Sequence, residues 1–264
     1  MHLLLPPSET KRSGGGSVFA AEALTHHDAL GDARAAVRAA LEALSADDEL
    51  AAAALKLGAK SRGELAHNRS LGTSGVMPAI ERYTGVLYDA LDAPSLGATA
   101  REWLDTHASI QSALFGLLGA GDPIPAYRLS AGTRLPWLDT PLKRVWRDAH
   151  REVDWASRGW VLDLRSKDYV ELAPLPADAG TYLHVAQRGP GGQVRALNHF
   201  NKAAKGDLVR RLAESQAEIA DRTELLAWAD AHGLEMQDGP EPGELTLITE
   251  LVAAGRAADG ARAR

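Results

Sequence analysis

The stretch His2-Leu-Leu-Leu-Pro-Pro-Ser-Glu-Thr-Lys11 joins a short apolar segment directly to a polar loop. Residues 2–6 predict a buried strand, and the loop that follows runs to Ser17 through the triplet Gly14-Gly15-Gly16. A loop of this composition is either mobile or built to let a ligand approach the backbone. Its backbone N–H groups and Lys11 can cradle a phosphate, although the loop lacks the order of residues found in a P-loop. A solvated loop is the alternative.

Outward from this strand, helical and strand patterns alternate along the chain, which predicts a mixed α/β fold. One compact domain is expected over residues 1–255, with a mixed sheet, surrounding helices and a disordered tail at 256–264. Helices are predicted at 20–44, 45–57 (capped by Ser45), 61–68, 84–91, 99–107, 140–155 (capped by Thr140), 202–213 and 223–232 (capped by Thr223). Strands are predicted at 160–164, 182–187, 193–198 and 245–251, and 110–118 is either a central strand or a tight core turn.

The composition excludes several classes of protein. The chain has no cysteine, so a disulfide framework, a cysteine-bound iron–sulfur cluster, a zinc ribbon and a thiolate nucleophile are all ruled out. The nine histidines show no metal-ligand spacing on a helix, and neither a metal nor a cofactor is expected. No apolar run approaches the roughly 20 residues that span a bilayer, and no secretory signal is recognisable. We therefore expect a cytoplasmic protein without membrane contact.

The net charge of −6 is unlike that of a generic nucleic-acid-binding protein. The charges are nevertheless segregated, because basic residues cluster at 56–62, 143–151 and 202–211. Such segregation can create a positive face on an acidic protein.

Two central segments carry candidate functional side chains. Tyr83 and Tyr88 flank a glycine, where they are either packed core tyrosines or hydroxyls near a ligand. Tyr127 precedes Arg128 in an apolar stretch, and a buried arginine needs a partner. That partner is either an anionic ligand or a structural carboxylate such as Asp163 or Asp168.

Two further segments combine polar and basic residues next to predicted strands. Ser166 and Lys167 follow the strand at 160–164, and polar residues at strand ends often form sites in α/β folds. Lys202 and Lys205 lie on one face of the helix that begins near residue 202. A run of charge is usually a solvated face, but its place at a junction between strand and helix favours a functional role.

The segment Leu55-Lys-Leu-Gly-Ala-Lys-Ser-Arg62 lies between two short predicted helices. It is similar to half of a helix-hairpin-helix element, in which a glycine turn presents N–H groups to DNA phosphates. Lys56, Gly58, Lys60 and Arg62 are the DNA-binding candidates, and an ordinary glycine-capped turn is the alternative.

Taken in order, these segments resemble the bacterial YaaA family of peroxide stress proteins over nearly the whole chain. The resemblance rests on Pro7-Ser8-Glu9-Thr10-Lys11, Tyr83-x-Gly85-x-x-Tyr88, Phe115-Gly116-Leu117-Leu118, Pro125-x-Tyr127-Arg128-Leu129-x-x-Gly132, Ser166-x-x-Tyr169 and Phe200-x-Lys202-x-Ala204-x-Gly206. It implies a concave basic cleft, DNA binding through a helix-hairpin-helix-like element, and protection against oxidative damage by limiting free intracellular iron.

Two functions follow as expectations. The first is a monomeric DNA-binding peroxide stress protein. The alternative is an enzyme that acts on a nucleotide or another phosphorylated small molecule in the same cleft. Its ligand-binding candidates are Ser8, Thr10, Lys11, Tyr127, Arg128, Ser166, Lys167, Lys202 and Lys205. The catalytic residues are unknown, with Lys11, Tyr88, Arg128 and Lys202 as candidates. Direct iron sequestration is a third reading, and it would need a cluster of His and carboxylate residues that the spacing does not display.

Overall fold

The apolar segment that opens the chain forms the strand β1 (His2–Leu5), as predicted. It lies between β3 (Ala108–Ser112) and β6 (Val161–Asp163), and both neighbours run parallel to it. All four residues of β1 are buried. A parallel strand in the middle of a sheet is covered on both faces, which explains three consecutive leucines in place of an alternating pattern.

The structure is a computed structural model that describes residues 1–188, 194–196 and 201–249. Three predicted features fall outside these residues. They are the turn at 189–192, the ends of the strand at 193–198 and the tail at 256–264.

The main sheet has eight strands in the order β4-β3-β1-β6-β7-β10-β9, and β8 pairs with β7. Strands β1, β3, β6, β7 and β10 form the parallel part, while β4, β8 and β9 pair in antiparallel fashion with their neighbours. The remaining strands of this sheet are β4 (Gly116–Gly119), β7 (Gly180–Arg188), β8 (Val194–Ala196), β9 (Glu235–Asp238) and β10 (Leu245–Thr249). A second, antiparallel sheet is formed by β2 (Met77–Pro78) and β5 (Pro123–Ile124).

Helices surround this sheet, so the predicted α/β class is confirmed. They are α1 (His27–Leu44), α2 (Asp48–Ala54), α3 (Leu65–Arg69), α4 (Ala79–Arg82), α5 (Val86–Leu91), α6 (Ala98–His107), α7 (Leu142–Ala149), α8 (Lys167–Leu172), α9 (Asn201–Glu214) and α10 (Arg222–Ala231).

The predicted helix caps are wrong at three positions. Ser45 is buried at the C-terminal end of α1, and α2 is capped by Asp47, which accepts from two backbone N–H groups. Asp221, and not Thr223, caps α10. Helix α7 begins at Leu142 without a side-chain cap, so Thr140 plays no such part. Aspartate accepts at a helix N-terminus with a full negative charge, which the helix dipole favours.

Two element boundaries also differ from the expectation. The segment 110–118 is neither one strand nor only a turn, because β3 and β4 pair in antiparallel fashion across the turn at 113–115. The helix predicted from residue 20 begins at His27, after a single 3-10 turn at Ala21–Ala23.

Candidate functional site

The strands β1, β3 and β6 are parallel neighbours, so their carboxyl ends meet at one edge of the sheet. Ser112 ends β3, the loop with Lys11 follows β1, and the segment with Tyr169 follows β6. Ligands in open α/β sheets commonly bind outside the carboxyl ends of the strands. This edge therefore brings together three of the segments that the sequence singled out.

The loop after β1 is fastened to the chain segment around Arg82. The guanidinium of Arg82 is fully buried and donates to the carbonyl oxygens of Arg12 (2.6 Å), Gly14 (3.0 Å), Gly75 (2.8 Å) and Ile124 (3.0 Å). The backbone of Lys11 also forms a β-bridge with Tyr83. The loop thus has a defined path, and its residues 12–18 are exposed to solvent, in line with the alternative of a solvated loop.

Lys11 turns its side chain back beneath its own loop. Its Nζ donates to the carbonyl oxygens of Ser8 (2.9 Å) and Glu9 (3.2 Å) and lies 4.0 Å from the centre of the Tyr127 ring. Burial, together with the nearby positive charge of Arg128, lowers the pKa of Lys11 to about 7. The amine is therefore partly neutral near neutral pH.

A chain of buried hydroxyl groups lies next to Lys11. The hydroxyls of Tyr83 and Tyr127 are 2.8 Å apart, and Tyr127 is 2.7 Å from the Ser112 hydroxyl. Ser112 Oγ in turn accepts from the backbone N–H groups of Leu114 and Phe115. Burial raises the pKa of Tyr83 and Tyr127, so both hydroxyls are neutral and can pass a proton along the chain.

Tyr88 belongs to the same aromatic group but has a different partner. Its ring centre lies 5.4 Å from that of Tyr83, and its hydroxyl donates to the carbonyl oxygen of Pro6 at 2.7 Å. Burial raises the pKa of Tyr88 as well. Its proton is engaged by the backbone, which suits a residue that fixes the end of β1.

Arg128 has carboxylate partners, but they are not the predicted ones. Its guanidinium pairs with Glu64 at 3.0 Å and with Glu9. The expectation of Asp163 or Asp168 as the partner is wrong, because Asp163 forms a buried bidentate pair with Arg165.

The backbone of Arg128 is fixed by a buried amide. Asn68 accepts from the Arg128 N–H at 2.7 Å and donates to the Arg128 carbonyl at 2.9 Å. Asn68 is fully buried, so these two bonds hold the arginine in register at the edge of the site.

A pocket of about 280 Å³ opens beside this cluster. Ser8, Thr84 and Lys202 supply its polar lining, and Tyr88 contributes to its wall. Thr84 donates to the Thr10 hydroxyl at 2.9 Å, which places Thr10 next to the pocket. Gly85 has φ 96°, and a Cβ there would lie 3.3 Å from the Ser8 hydroxyl. A glycine is thus required both by the backbone and by the closeness of Ser8.

Helix α9 carries Lys202 to the pocket because it crosses α5 at Gly206. A Cβ on Gly206 would lie 2.1 Å from the Leu87 carbonyl oxygen, so no side chain fits at this crossing. Lys202 lies one turn before Gly206 and on the same face of the helix. The close crossing therefore sets where the Lys202 ammonium group is presented.

Lys205 does not share the pocket with Lys202. It is buried, its Nζ donates to the Leu164 carbonyl at 3.0 Å, and burial lowers its pKa to about 8. Ser166 and Lys167 are exposed at the start of α8 and line neither of the pockets that border the loop. Of the proposed phosphate ligands, the structure thus groups those near the β1 loop and leaves these three apart.

A second pocket, of about 250 Å³, lies on the other side of the same loop. Glu9, Lys56, Thr133, Asp168 and Tyr169 are among the residues that line it. Carboxylates thus border the site together with the cations, and the surroundings of Arg128 are not uniformly positive.

The segment 55–62 lies in the connection from α2 to α3, which contains a 3-10 helix over Ala59–Glu64. Gly58 has φ −71°, a conformation open to any residue, so the backbone does not require a glycine there. Lys56 and Lys60 are exposed, while Arg62 forms a two-point ion pair with Glu49.

Within the described residues, no group of three or more His, Asp or Glu side chains is arranged to hold a metal ion. In the same part of the chain, none of the helices is both long and apolar enough to cross a bilayer.

Four residues of this site escaped the sequence analysis. They are Asn68, Arg82, Ser112 and Glu64, whose roles depend on partners distant in the chain. A lone buried polar residue has no local pattern that would identify it.

Comparison with known proteins agrees with the grouping of these segments. Residues 1–238 match the family model described as peroxide stress protein YaaA. The chain belongs to the YaaA family. This confirms the resemblance inferred from the ordered motifs.

Relatives of this YaaA-family chain match it along nearly their whole length. A UPF0246 protein of Corynebacterium glutamicum is 41% identical over 256 residues, covering 94% of this chain and 100% of that protein. A UPF0246 protein of Streptomyces coelicolor is 38% identical over 267 residues, covering 96% of this chain and 100% of its own length.

Proposed function

We propose that this YaaA-family protein binds and transforms a nucleotide or another phosphorylated small molecule at the pocket beside Lys11. The observation that carries the proposal is the position of Lys202, Ser8 and Thr84 around a pocket of about 280 Å³. The backbone of Ser8 is held there by the Lys11 amine, which donates to its carbonyl oxygen. This volume is close to the lower end of the range for small-molecule sites, roughly 300–1,000 Å³. It suits a mononucleotide or a sugar phosphate better than a DNA duplex.

The charges around the pocket favour a phosphate group there. Lys202 is exposed and forms no ion pair with the carboxylates of the described residues, so its charge is available to a ligand. The Ser8 hydroxyl can donate to a phosphate oxygen, whereas the Thr84 hydroxyl donates to Thr10. Arg128, in contrast, is engaged by Glu9 and Glu64.

The test is a binding measurement with AMP, ribose 5-phosphate and inorganic phosphate at two salt concentrations. We expect Lys202→Gln to weaken the binding of all three by about tenfold, the effect of losing one charge-assisted contact. Lys60→Gln removes an exposed lysine far from the pocket and serves as the matched control. Equal affinities for the two variants would refute the pocket as the phosphate site.

DNA binding is the second candidate function, and a separate observation favours it. Lys56 and Lys60 are exposed, and neither is paired with a carboxylate in the part of the chain that the structure describes. Two free cations in one short segment can contact phosphates, with Gly58 between them. Arg62 contributes less to this mode because Glu49 holds it.

Duplex binding at this segment has its own test. The double variant Lys56→Glu/Lys60→Glu should lower DNA affinity and flatten its salt dependence by about two charges. The double variant Lys143→Glu/Lys167→Glu places the same change on two other exposed lysines and controls for net charge. An unchanged salt dependence in the double variant would exclude this segment as the DNA contact.

Both candidate functions are compatible with the peroxide stress role of the family. We propose that the protein acts in the cytoplasm as a monomer and that any effect on free iron is a downstream result of its activity. This is testable by measuring free iron and DNA damage after peroxide treatment in cells that carry the Lys202→Gln chain.

A further inference from the structure

The pocket that Lys202 borders contains an exposed apolar residue, Val86, at the start of α5. Val86 is 42% exposed, whereas Leu87 and Tyr88, which follow it in the helix, are buried. Valine favours helices less than lysine or glutamate does, so helix formation gives no reason for a valine at an exposed position. Apolar surface inside a pocket is instead typical of a site for a small molecule.

The wall next to Val86 offers few groups for hydrogen bonding. Pro6 and Pro7 line the same pocket, and neither has a backbone N–H. The Pro6 carbonyl oxygen already accepts from the Tyr88 hydroxyl at 2.7 Å. A ligand group that lies against Pro7 and Val86 therefore meets mainly carbon atoms.

The polar side chains that are free to bind a ligand are gathered at Ser8 and Lys202. The third polar side chain of the lining, that of Thr84, donates its hydroxyl proton within the protein. No carboxylate of the described residues lines this pocket. The polar and apolar parts are close together, because a Cβ on Gly85, the residue before Val86, would lie 3.3 Å from the Ser8 hydroxyl.

This division of the lining indicates the kind of ligand. A sugar phosphate carries hydroxyl groups on every side, and those that face the prolines and the valine would lose their water partners without replacement. The base of a nucleotide carries its polar atoms on its edges, so its two faces can pack on apolar side chains. An anionic group and a flat ring in one molecule therefore match the two parts of the pocket.

We infer that this pocket binds a nucleoside monophosphate, with the phosphate between Lys202 and Ser8 and one face of the base on Pro7 and Val86. The inference rests on the proposed phosphate pocket and adds the ligand class and the side chains that recognise the base. Val86 is thus a specificity-determining residue, which contributes to the binding of AMP and not to that of ribose 5-phosphate.

A valine without a partner is the competing explanation, since single exposed apolar side chains are common on protein surfaces. The two explanations differ in how the Val86 methyl groups respond to a ligand. Without a partner they are indifferent to the base, whereas in contact with the base they respond to AMP and not to ribose 5-phosphate.

The first measurement follows the valine methyl signals of the intact protein by NMR during titrations with AMP and with ribose 5-phosphate. We expect the Val86 signals to shift with AMP and to show nuclear Overhauser effects to the adenine protons, while ribose 5-phosphate leaves them nearly unchanged. Val18 is also exposed but lies outside the pocket, so its signals are the reference. The absence of a nuclear Overhauser effect between Val86 and the base at saturating AMP would overturn the inference.

The second measurement compares the affinities for AMP, ribose 5-phosphate and n-hexyl phosphate by calorimetry. We expect AMP to bind at least about tenfold more tightly than ribose 5-phosphate. Val86→Ser should weaken AMP binding about fivefold, the effect of losing two methyl contacts, and ribose 5-phosphate binding by less than about twofold. Val18→Ser makes the same change at the other exposed valine and should alter neither affinity. A preference for AMP that Val86→Ser leaves intact would contradict the inference.

The remaining outcomes separate the inference from the function on which it rests. Equal affinities for AMP and ribose 5-phosphate, both weakened by Lys202→Gln, would keep the phosphate pocket and overturn the base contact. Binding of both compounds that ignores Lys202→Gln would overturn the pocket as well. If n-hexyl phosphate binds as tightly as AMP and is as sensitive to Val86→Ser, the pocket accepts any apolar group and the assignment of a base is wrong.

Discussion

The carboxylate of Glu9 pairs with the guanidinium of Arg128, 119 positions further along the chain. Glu9 belongs to the same loop as Lys11, so this ion pair ties the loop to the far side of the site. The ion pair also occupies the Arg128 guanidinium, which would otherwise attract an anion. Glu9 thus takes the place that a negatively charged ligand group would take.

Removing the charge of Glu9 should release Arg128 from one of its two carboxylate partners, while Glu64 still pairs with it. We expect Glu9→Gln to raise the affinity for ribose 5-phosphate by about three- to tenfold, since one competing charge is removed. Folding stability should change by less than about 1 kcal/mol because the Glu9 side chain is 58% exposed. Glu42→Gln, which breaks the exposed pair with Arg38, is the control. Weaker phosphate binding in Glu9→Gln would show that the pair supports the site.

The hydroxyl of Tyr127 joins Tyr83 to Ser112, so its loss should be costly. Tyr127→Phe keeps the ring against Lys11 but leaves two buried hydroxyls with a partner missing. We expect a loss of about 1–3 kcal/mol in the free energy of unfolding, measured with urea.

Tyr88→Phe provides the matched comparison, because the Tyr88 hydroxyl donates only to the Pro6 carbonyl. It should lower stability by a smaller amount, because only one buried acceptor, the Pro6 carbonyl, loses its partner. Equal losses of stability in the two variants would mean that the hydroxyl chain adds nothing beyond a single buried hydrogen bond.

The crossing of α9 over α5 predicts a strong effect at Gly206. A methyl group there meets the Leu87 carbonyl, so Gly206→Ala should destabilise the protein by about 1–3 kcal/mol or more. It should also weaken phosphate binding, because α9 has to move with Lys202. Gly58→Ala, where a Cβ meets nothing within 4 Å, should be nearly neutral. Thermal unfolding and the phosphate titration measure the two effects.

Buried histidines predict a loss of stability in mild acid. Burial lowers the pKa of His2 to about 3 and those of His26 and His150 to about 4, and Arg158 contacts both His2 and His26. The folded pKa values lie below the unfolded value of about 6.5. The unfolded chain therefore binds more protons below pH 6.5, and the free energy of unfolding falls as the pH drops towards 4.

Urea unfolding at pH 7.5 and pH 5 measures this loss. His26→Asn should reduce the difference between the two pH values, because asparagine tolerates the φ of 60° at this position. His67→Asn changes a histidine whose ring makes no hydrogen bond in the described structure and serves as the control. Identical pH dependence in both variants would rule out His26 as a contributor.

The sequence predicted those parts of the structure that depend on local pattern. The buried run of β1, the α/β class and the glycine that ends α10 at Gly233 follow from apolar periodicity and turn residues. Strand β9 escaped notice because three of its four residues, Glu-Met-Gln-Asp, are polar and it lies at the edge of the sheet. Edge strands need only one partner and show little of the usual signal.

The site was predictable in its residues but not in its contacts. Lys11, Arg128 and Lys202 stood out because charge followed an apolar strand or began a helix. Nothing local showed that Glu9 pairs with Arg128 or that Lys205 turns inward to Leu164. Such pairings are decided by the order of strands in the sheet, which brings distant segments together.

The backbone carbonyls that accept hydrogen bonds from Arg82 limit how the amino-acid sequence of this loop can vary. Every amino acid supplies a backbone carbonyl, so the guanidinium recognises the path of the chain and is indifferent to the side chains on it. Related proteins can therefore exchange the residue at position 12 while the loop keeps its course, whereas Gly14, with φ 80°, is restricted by its own backbone. Arg82 itself has no such freedom, since lysine cannot reach four separated acceptors. The chemistry of the loop can diversify as long as this one side chain is kept.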